Sequence, residues 1–374
     1  MKFDSGQRSK IFYILCAFFV SFVAASASFN GFYDGQHFFD DATRQLHGRC
    51  SFEAAVDGTD DRPYVYRQLL PMAVNFVNAR LSSATLDALY NLHNRAGILL
   101  RTRLIDSPVM QDKRYFVRYW LMYNLVFIFA WLAVGGAYLS ARACGVKRLH
   151  AFLAALVFIL IVPYLQIRLG HFYDYPEIFF FTIAVWLCVR GPWLLLLPMT
   201  VLATLNKESY LLFVVTLYPF LAARFERRKA FSITGSMFVV SAAVYEWLKL
   251  LFRNNPGGGL ELHISEQWHA FLTLFMPWHS SPIQIYGIWS IPLYSLPGIL
   301  GFLWAVIACW PILPQAFRYN VLVSSLINLP LFFICCNPAE LRDLSLLYPG
   351  VIAIIALQCE RFSTLWHEEQ QSLT

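Results

Sequence analysis

Long apolar runs recur along this 374-residue chain, and they constrain its fold more than any motif does. They cover roughly 11–29, 116–140, 149–167, 176–189, 192–206, 209–223, 231–252, 288–310, 319–336 and 344–359, ten in all. About 20 apolar residues in a helix match the hydrocarbon thickness of a bilayer, and a helix satisfies its own backbone where water is absent. A transmembrane barrel would show alternation instead of runs. The runs 176–189 and 192–206 are short for a crossing; read as two spans or as a re-entrant hairpin, they leave residues 175 and 207 on the same side. Charged residues make up 14%, against roughly 25% in soluble proteins. With 58% hydrophobic residues and a mean hydropathy of +0.51, a soluble globular enzyme, a disordered chain and a disulfide scaffold are excluded. The expected fold class is all-α integral membrane, with about ten transmembrane helices in one domain over 1–374.

The first run, Ile11–Phe29, follows Lys2, Arg8 and Lys10. Ala25-Ser26-Ala27 resembles a signal-peptide cleavage site, but the stretch is long enough to span, so an uncleaved helix is the favoured reading. Residues 30–115 then form a long polar loop between the first two transmembrane helices, containing Asp34, Asp40, Asp41, Asp60 and Asp61. Two helices are expected inside it. One begins near Pro71, with Met72, Ala73, Phe76, Val77 and Leu81 on one face and Asn75 and Asn78 on the other. The second covers about 85–104, with Leu86, Leu89, Leu100 and Leu104 beside Arg95, Arg101 and Arg103. Such stripes suit helices lying on a membrane surface, or else a small soluble subdomain.

Lys and Arg in the short loops set the expected sides. With the N-terminus inside, the inner loops hold Arg142, Lys147 and Arg148; Arg190; Arg224, Arg227, Arg228 and Lys229; Arg318; and Arg361. The outer short loops hold only Arg168, Lys207 and Arg342, each beside acidic residues. This positive-inside pattern puts both termini in the cytoplasm. The outer compartment is read as a bacterial periplasm, so the membrane is the inner one, although the residues alone also admit an ER lumen. The net charge of +6 suggests contact with anionic membrane lipids and no nucleic-acid surface. Most of the eight Cys lie in or beside apolar runs, and no CxxC or Cys/His metal spacing occurs. No internal repeat is visible, which disfavours transporters built from duplicated halves.

Under this topology the unusual polar clusters share the outer side. They are Tyr33-Asp34-Gly35-Gln36-His37 with Asp40-Asp41, Tyr66-Arg67-Gln68, His171-Phe172-Tyr173-Asp174-Tyr175-Pro176-Glu177, Asn206-Lys207-Glu208-Ser209 and Glu340-Leu341-Arg342-Asp343. Glu246 and Lys249 fall toward the same side. Ionisable residues at membrane level are costly and usually tied to function. Each cluster also has a structural reading: Asp34 ends the first helix, Asp40 and Asp41 are solvated, Asp174 caps a helix begun by Pro176, Lys207 and Glu208 form an ion pair between helices, Arg342 snorkels, and His171 is packed or interfacial. The Gly run near 257 lacks the Lys-Ser/Thr of a P-loop.

Carboxylates and cations on the outer face suit a lipid-linked anionic substrate, its tail in the bilayer and its phosphate at headgroup level. Arg67, Lys207 and Arg342 are the expected phosphate ligands, through charge-assisted hydrogen bonds. A carboxylate would take the proton of an incoming hydroxyl. Glycosyl transfer from a polyprenyl-phosphate sugar to an unknown acceptor is a reaction of this kind.

Three segments also carry a family resemblance. Tyr33-Asp34-Gly35-Gln36, Tyr66-Arg67-Gln68-Leu69-Leu70-Pro71 and Lys207-Glu208-Ser209 resemble elements of the GT-C superfamily of multi-spanning glycosyltransferases, in its bacterial, mannosyltransferase-like and largely uncharacterised branch. The resemblance implies lipid-phosphate sugar donors, in some members a divalent metal such as Mg or Mn, and an essential acidic residue in the first outer loop. That residue maps to Asp34, less directly to Asp40 or Asp41, with Asp174 as the reserve catalytic candidate. Gln36, His171 and Glu208 join the three cations as expected substrate-binding residues. Two departures stand out: His37 follows Gln36 where the family continues with aromatics, and Lys207, a point charge, replaces an Arg fork. The competing classes are a lipid or polysaccharide transporter or flippase, which needs polar residues at mid-depth; a polysaccharide polymerase or ligase, which carries its large loop late; and a structural assembly protein.

Overall fold

The computed structural model describes residues 5–35, 52–96, 112–166, 170–258, 262–273, 283–286, 288–290, 293, 295–338 and 340–372. Helix α1 is Ser5–Gly35. The long polar loop contributes α2 (Phe52–Asp57), a 3-10 turn (Tyr64–Tyr66), α3 (Leu69–Asn78) and α4 (Ser83–Ala96). Then come α5 (Lys113–Ala143), α6 (Arg148–Gln166), α7 (Asp174–Val189), α8 (Leu196–Asn206), α9 (Tyr210–Thr216), α10 (Tyr218–Arg224) and α11 (Arg227–Leu251). After α12 (Ile264–Thr273), a small antiparallel hairpin pairs β1 (Ile283–Ile285) with β2 (Ile288–Ser290). The chain finishes with α13 (Leu296–Cys309), α14 (Gln315–Cys335), a 3-10 segment (Leu341–Leu347) and α15 (Tyr348–Ser372).

Among the described residues, six helical segments are long and apolar enough to cross a bilayer: Lys10–Ser28, Lys113–Ala143, Arg148–Gln166, Arg227–Leu251, Gln315–Cys335 and Leu341–Trp366. This is a helical, multi-pass membrane architecture. Four of the apolar runs form shorter helices. At 1.5 Å per residue the 16 residues of α7 reach about 24 Å. The run 209–223 divides into α9 and α10, and Pro219 stands at the start of α10. The run 288–310 is helical only from Leu296.

The bundle core is built at close range. In α5, Ala130, Ala133, Ala137 and Ala141 are all buried, and a side chain at Gly136 would run into Thr182 of α7. Small residues let two backbones approach, which drives helix packing in lipid, where apolar burial supplies little. Phe181 of α7 stacks on Phe213 of α9 with centroids 3.8 Å apart. The outward faces are apolar instead of charged: Phe231, Ile307 and Leu326 are each more than 70% exposed. A surface of that kind is solvated by acyl chains.

Helix α1 belongs to this bundle. Phe18 meets Phe127, Tyr13 meets Phe152, and Ala24, Ala25 and Ser28 are buried, with Ser28 Oγ 2.8 Å from Tyr175 Oη. The helix runs unbroken through Ala25-Ser26-Ala27 and on to Gly35, so Tyr33-Asp34-Gly35 forms its last turn and not the start of a loop. In α3, Leu70, Pro71 and Val74 face the protein while Met72, Phe76 and Val77 point outward. Asn75, expected on the wet face, turns inward and donates to Val56 O. The second expected loop helix is present as α4, docked on α5 by Lys113–Asp87 (2.6 Å) and Tyr90–Phe116; 97–104 lies outside the described residues.

Alternating helices give the bundle two ends. At one, the starts of α7 and α9 meet the ends of α1, α6, α8 and α11, the 3-10 turn at Tyr64–Tyr66 and the segment 340–345. At the other, Arg224 Nη1 donates to the carbonyls of Leu187 (2.9 Å), Cys188 (3.3 Å) and Gly191 (2.7 Å), and His150 faces Glu360 at 3.9 Å.

Candidate functional site

The first end holds a buried ionic cluster whose parts come from four separate stretches of chain. Asp174 and Glu177 lie in the first turn of α7, three apart and therefore on one helix face. Lys207 ends α8, and Glu208 and Ser209 precede α9. Arg67 follows the 3-10 turn of the loop, and Arg342, Asp343 and Ser345 sit in the Leu341–Leu347 segment.

Every charge in it has a partner. Arg67 pairs with Glu208 at 3.0 Å and also donates to Tyr173 Oη. Lys207 Nζ lies 3.0 Å from Glu177 and 3.2 Å from Asp343. The other oxygen of Glu177 accepts from Ser209 and Ser345, both at 2.8 Å. Arg342 reaches Asp174 at 3.2 Å and Glu340 at 3.3 Å, and donates to Tyr173 Oη at 3.3 Å. Asp174 accepts further from Gln166 (2.8 Å) and the His171 backbone (2.9 Å). Its carboxylate therefore braces the preceding loop and does not cap its own helix.

Tyr173 is the hub. The charged groups of Arg67, Lys207 and Arg342 lie 4.3, 5.5 and 5.8 Å from its ring centre. The ring stacks on His171 at 4.8 Å, and Asn206 donates to its carbonyl at 2.9 Å. Three like charges so close repel; the ring face and the carboxylates offset that repulsion.

Burial and charge act against each other here. Burial alone would favour a neutral Lys207, yet Glu177 and Asp343 outweigh it and raise the ammonium above its usual range. Burial likewise opposes ionisation of Glu208, but Arg67 prevails and holds the carboxyl low. His171 is pushed well down, first by burial and then by the three cations, so it is neutral at pH 7. Burial pushes the Tyr173 phenol up to about 12.

Six residues nominated from sequence thus meet: Arg67, His171, Asp174, Lys207, Glu208 and Arg342. The structural pair expected between Lys207 and Glu208 is instead two pairs with other elements. Arg342 does not snorkel; it is 5% exposed, and its buried Nε has no partner. Asp34 ends α1, with its side chain outside the described set, as are Gln36, Asp40 and Asp41 altogether. Glu246 and Lys249 pair with each other at 2.8 Å on the exposed face of α11. Sequence reasoning passed over Tyr173, Glu177 and Asp343 as site residues, although each adjoins or shares a stretch with a residue it chose. Among the described residues no three His, Cys, Asp or Glu side chains are placed to hold a metal, and the cluster carboxylates are committed to cations. No known protein family, curated protein or solved structure matches this chain.

Proposed function

We propose that the chain is a membrane glycosyltransferase that moves a sugar from a polyprenyl-phosphate donor to an acceptor at the face bearing the ionic cluster, which is the extracytoplasmic side of a bacterial inner membrane. In this reading the ten apolar runs all cross and both termini are cytoplasmic. The single observation that carries it is the gathering of Arg67, Lys207 and Arg342 around Tyr173 at the end of a lipid-exposed bundle. Exposed Met72 and Phe76 on α3 add an apolar edge where a prenyl tail would lie.

The cations are already paired, so a phosphate takes over from a carboxylate partner instead of filling a vacant pocket. Glu208 and Glu340, with side chains 24% and 20% exposed, are the partners with room to leave; Asp174 and Glu177, at 4% and 2%, are fixed. The unpartnered Nε of Arg342 offers one more donor. With Asp174 committed to three donors, Asp34 remains the first choice for the base.

The test is consumption of a radiolabelled polyprenyl-phosphate mannose by reconstituted protein supplied with native membrane extract as acceptor. Asp34→Asn should lower the rate about 10²–10⁴-fold with donor binding retained. Arg342→Gln should weaken donor binding, since a charge-assisted bond to a desolvated phosphate is worth about 1.5–3 kcal/mol. Unchanged turnover in both Asp34→Asn and Asp174→Asn would remove the carboxylate mechanism.

A further inference from the structure

The opposite end of the bundle carries a patch that the proposed reaction does not use. The link from α7 to α8 and the link from α10 to α11 lie side by side there, tied by Arg224 to the carbonyls of Leu187, Cys188 and Gly191. Arg190, Arg224, Arg227, Arg228 and Lys229 are all exposed, and the sole acidic residue in either link is Glu226. None of the five cations pairs with a carboxylate among the described residues.

These cations do not serve the helix they begin. Arg227, Arg228 and Lys229 form the first turn of α11, where the helix dipole disfavours positive charge, and Glu226 makes no capping bond. Directly beside them the surface is apolar. Lys229 Nζ lies over the rings of Phe225 (4.7 Å) and Trp193 (5.3 Å), while Leu194, Leu195 and Phe231 are 64%, 52% and 73% exposed. Cations grade into an aromatic belt and then into large aliphatic side chains, which is the order of phosphate, glycerol and acyl chain in a lipid.

We infer that this two-link patch is a retention site for anionic phospholipid, whose headgroup phosphate is held by Arg227, Arg228 and Lys229 and whose chains lie on Leu194, Leu195 and Phe231. A soluble anion would gain nothing from the apolar half; a zwitterionic lipid would bring its own cation against the cluster.

Native mass spectrometry of the delipidated full-length protein tests this, with phosphatidylglycerol and phosphatidylcholine as competing probes. Wild type should retain phosphatidylglycerol at least tenfold over phosphatidylcholine. R227Q/R228Q/K229Q should lose most of that preference, since near-surface basic residues each contribute roughly a fivefold factor. A control of equal charge loss elsewhere at this end, K147Q/R148Q/R361Q, should keep it. All substituted triple-variant positions are exposed, and unfolding in phosphatidylcholine discs checks that the fold is intact; R190Q/R228Q gives a milder second variant. An undiminished preference in both patch variants, or equal loss in the control, overturns the site.

Discussion

The two ends of the bundle handle charge in opposite ways. At the cluster end, Lys207, Arg342, Asp174 and Glu177 are withdrawn from solvent and locked to one another. At the basic end, Arg227, Arg228 and Lys229 stand exposed and unpaired with any described carboxylate. The first arrangement is costly unless every member is satisfied, because removing one partner strands a buried ion. The second costs the protein little, and its partners lie outside the chain. Buried reciprocity points to a chemical site; exposed excess points to a surface that meets something.

The sharpest way to break this contrast is to delete the cation that bridges two carboxylates. Lys207→Met takes from Glu177 and Asp343 the cation they share. The expected loss is about 3–5 kcal/mol, the usual cost of breaking a buried pair, read as a fall in melting temperature in lipid discs. Lys249→Met, at the exposed Glu246 pair on the same side, should leave the melting temperature unchanged. Equal shifts would mean that burial does not separate the two pairs.

Asp60 sharpens the comparison through pH. It is 3% exposed in the link before Arg67, and burial raises its carboxyl to about 7 against an unfolded value of 3.8. The folded state therefore prefers the protonated acid. This contribution is fully present below about pH 4 and is lost as pH rises through 7. Asp60→Asn should match wild type at pH 4 and exceed it by on the order of 4 kcal/mol at pH 8. A parallel pair of stability curves would show that Asp60 titrates normally.

How much of this was legible in the sequence follows the same divide. The apolar runs announced the helices, because hydrocarbon admits little else, and the charges at Arg67, Asp174, Lys207 and Arg342 were conspicuous against an apolar background. What could not be read was pairing. Lys207 and Glu208 are neighbours in sequence but answer to α7 and to Arg67, since adjacent residues at a helix boundary point apart. Tyr173 was hidden among 19 tyrosines; only three-dimensional proximity to three cations marks it. The amphipathic stripe of α3 left open which face meets the protein, because lipid and protein interior are equally apolar; Met72 and Phe76 turn outward and Asn75 turns to Val56 O.

A backbone test at the cluster end comes next in size. Asn255 donates to Gly58 O and Asp60 O, both at 2.9 Å, and Arg62 N–H donates to Pro256 O at 2.9 Å, clasping the long loop to the end of α11. Gly257 has φ +91°, and a Cβ there would come within 2.6 Å of Arg62 O. Gly257→Ala should cost about 1–3 kcal/mol and speed proteolysis of the loop, since neither backbone can yield without opening the clasp.

The smallest effects belong to the basic end, and they separate Arg224, which holds backbone carbonyls, from the free arginines beside it. Arg224 Nη1 serves three carbonyls around the end of α7 and supplies the described hydrogen bonds between the two links. The Leu187 and Cys188 carbonyls lie in the last turn, past their helical donors, and a charged donor satisfies them better than a neutral one. Arg224→Gln should therefore cost about 1–2 kcal/mol and loosen hydrogen-exchange protection at residues 187–191. Arg228→Gln, in the first turn of the next helix and touching no described partner, should change stability by less than about 0.5 kcal/mol. If Arg228→Gln were as destabilising as Arg224→Gln, the exposed charges would be part of the fold after all, and the distinction between an end that binds itself and an end that binds its surroundings would fail.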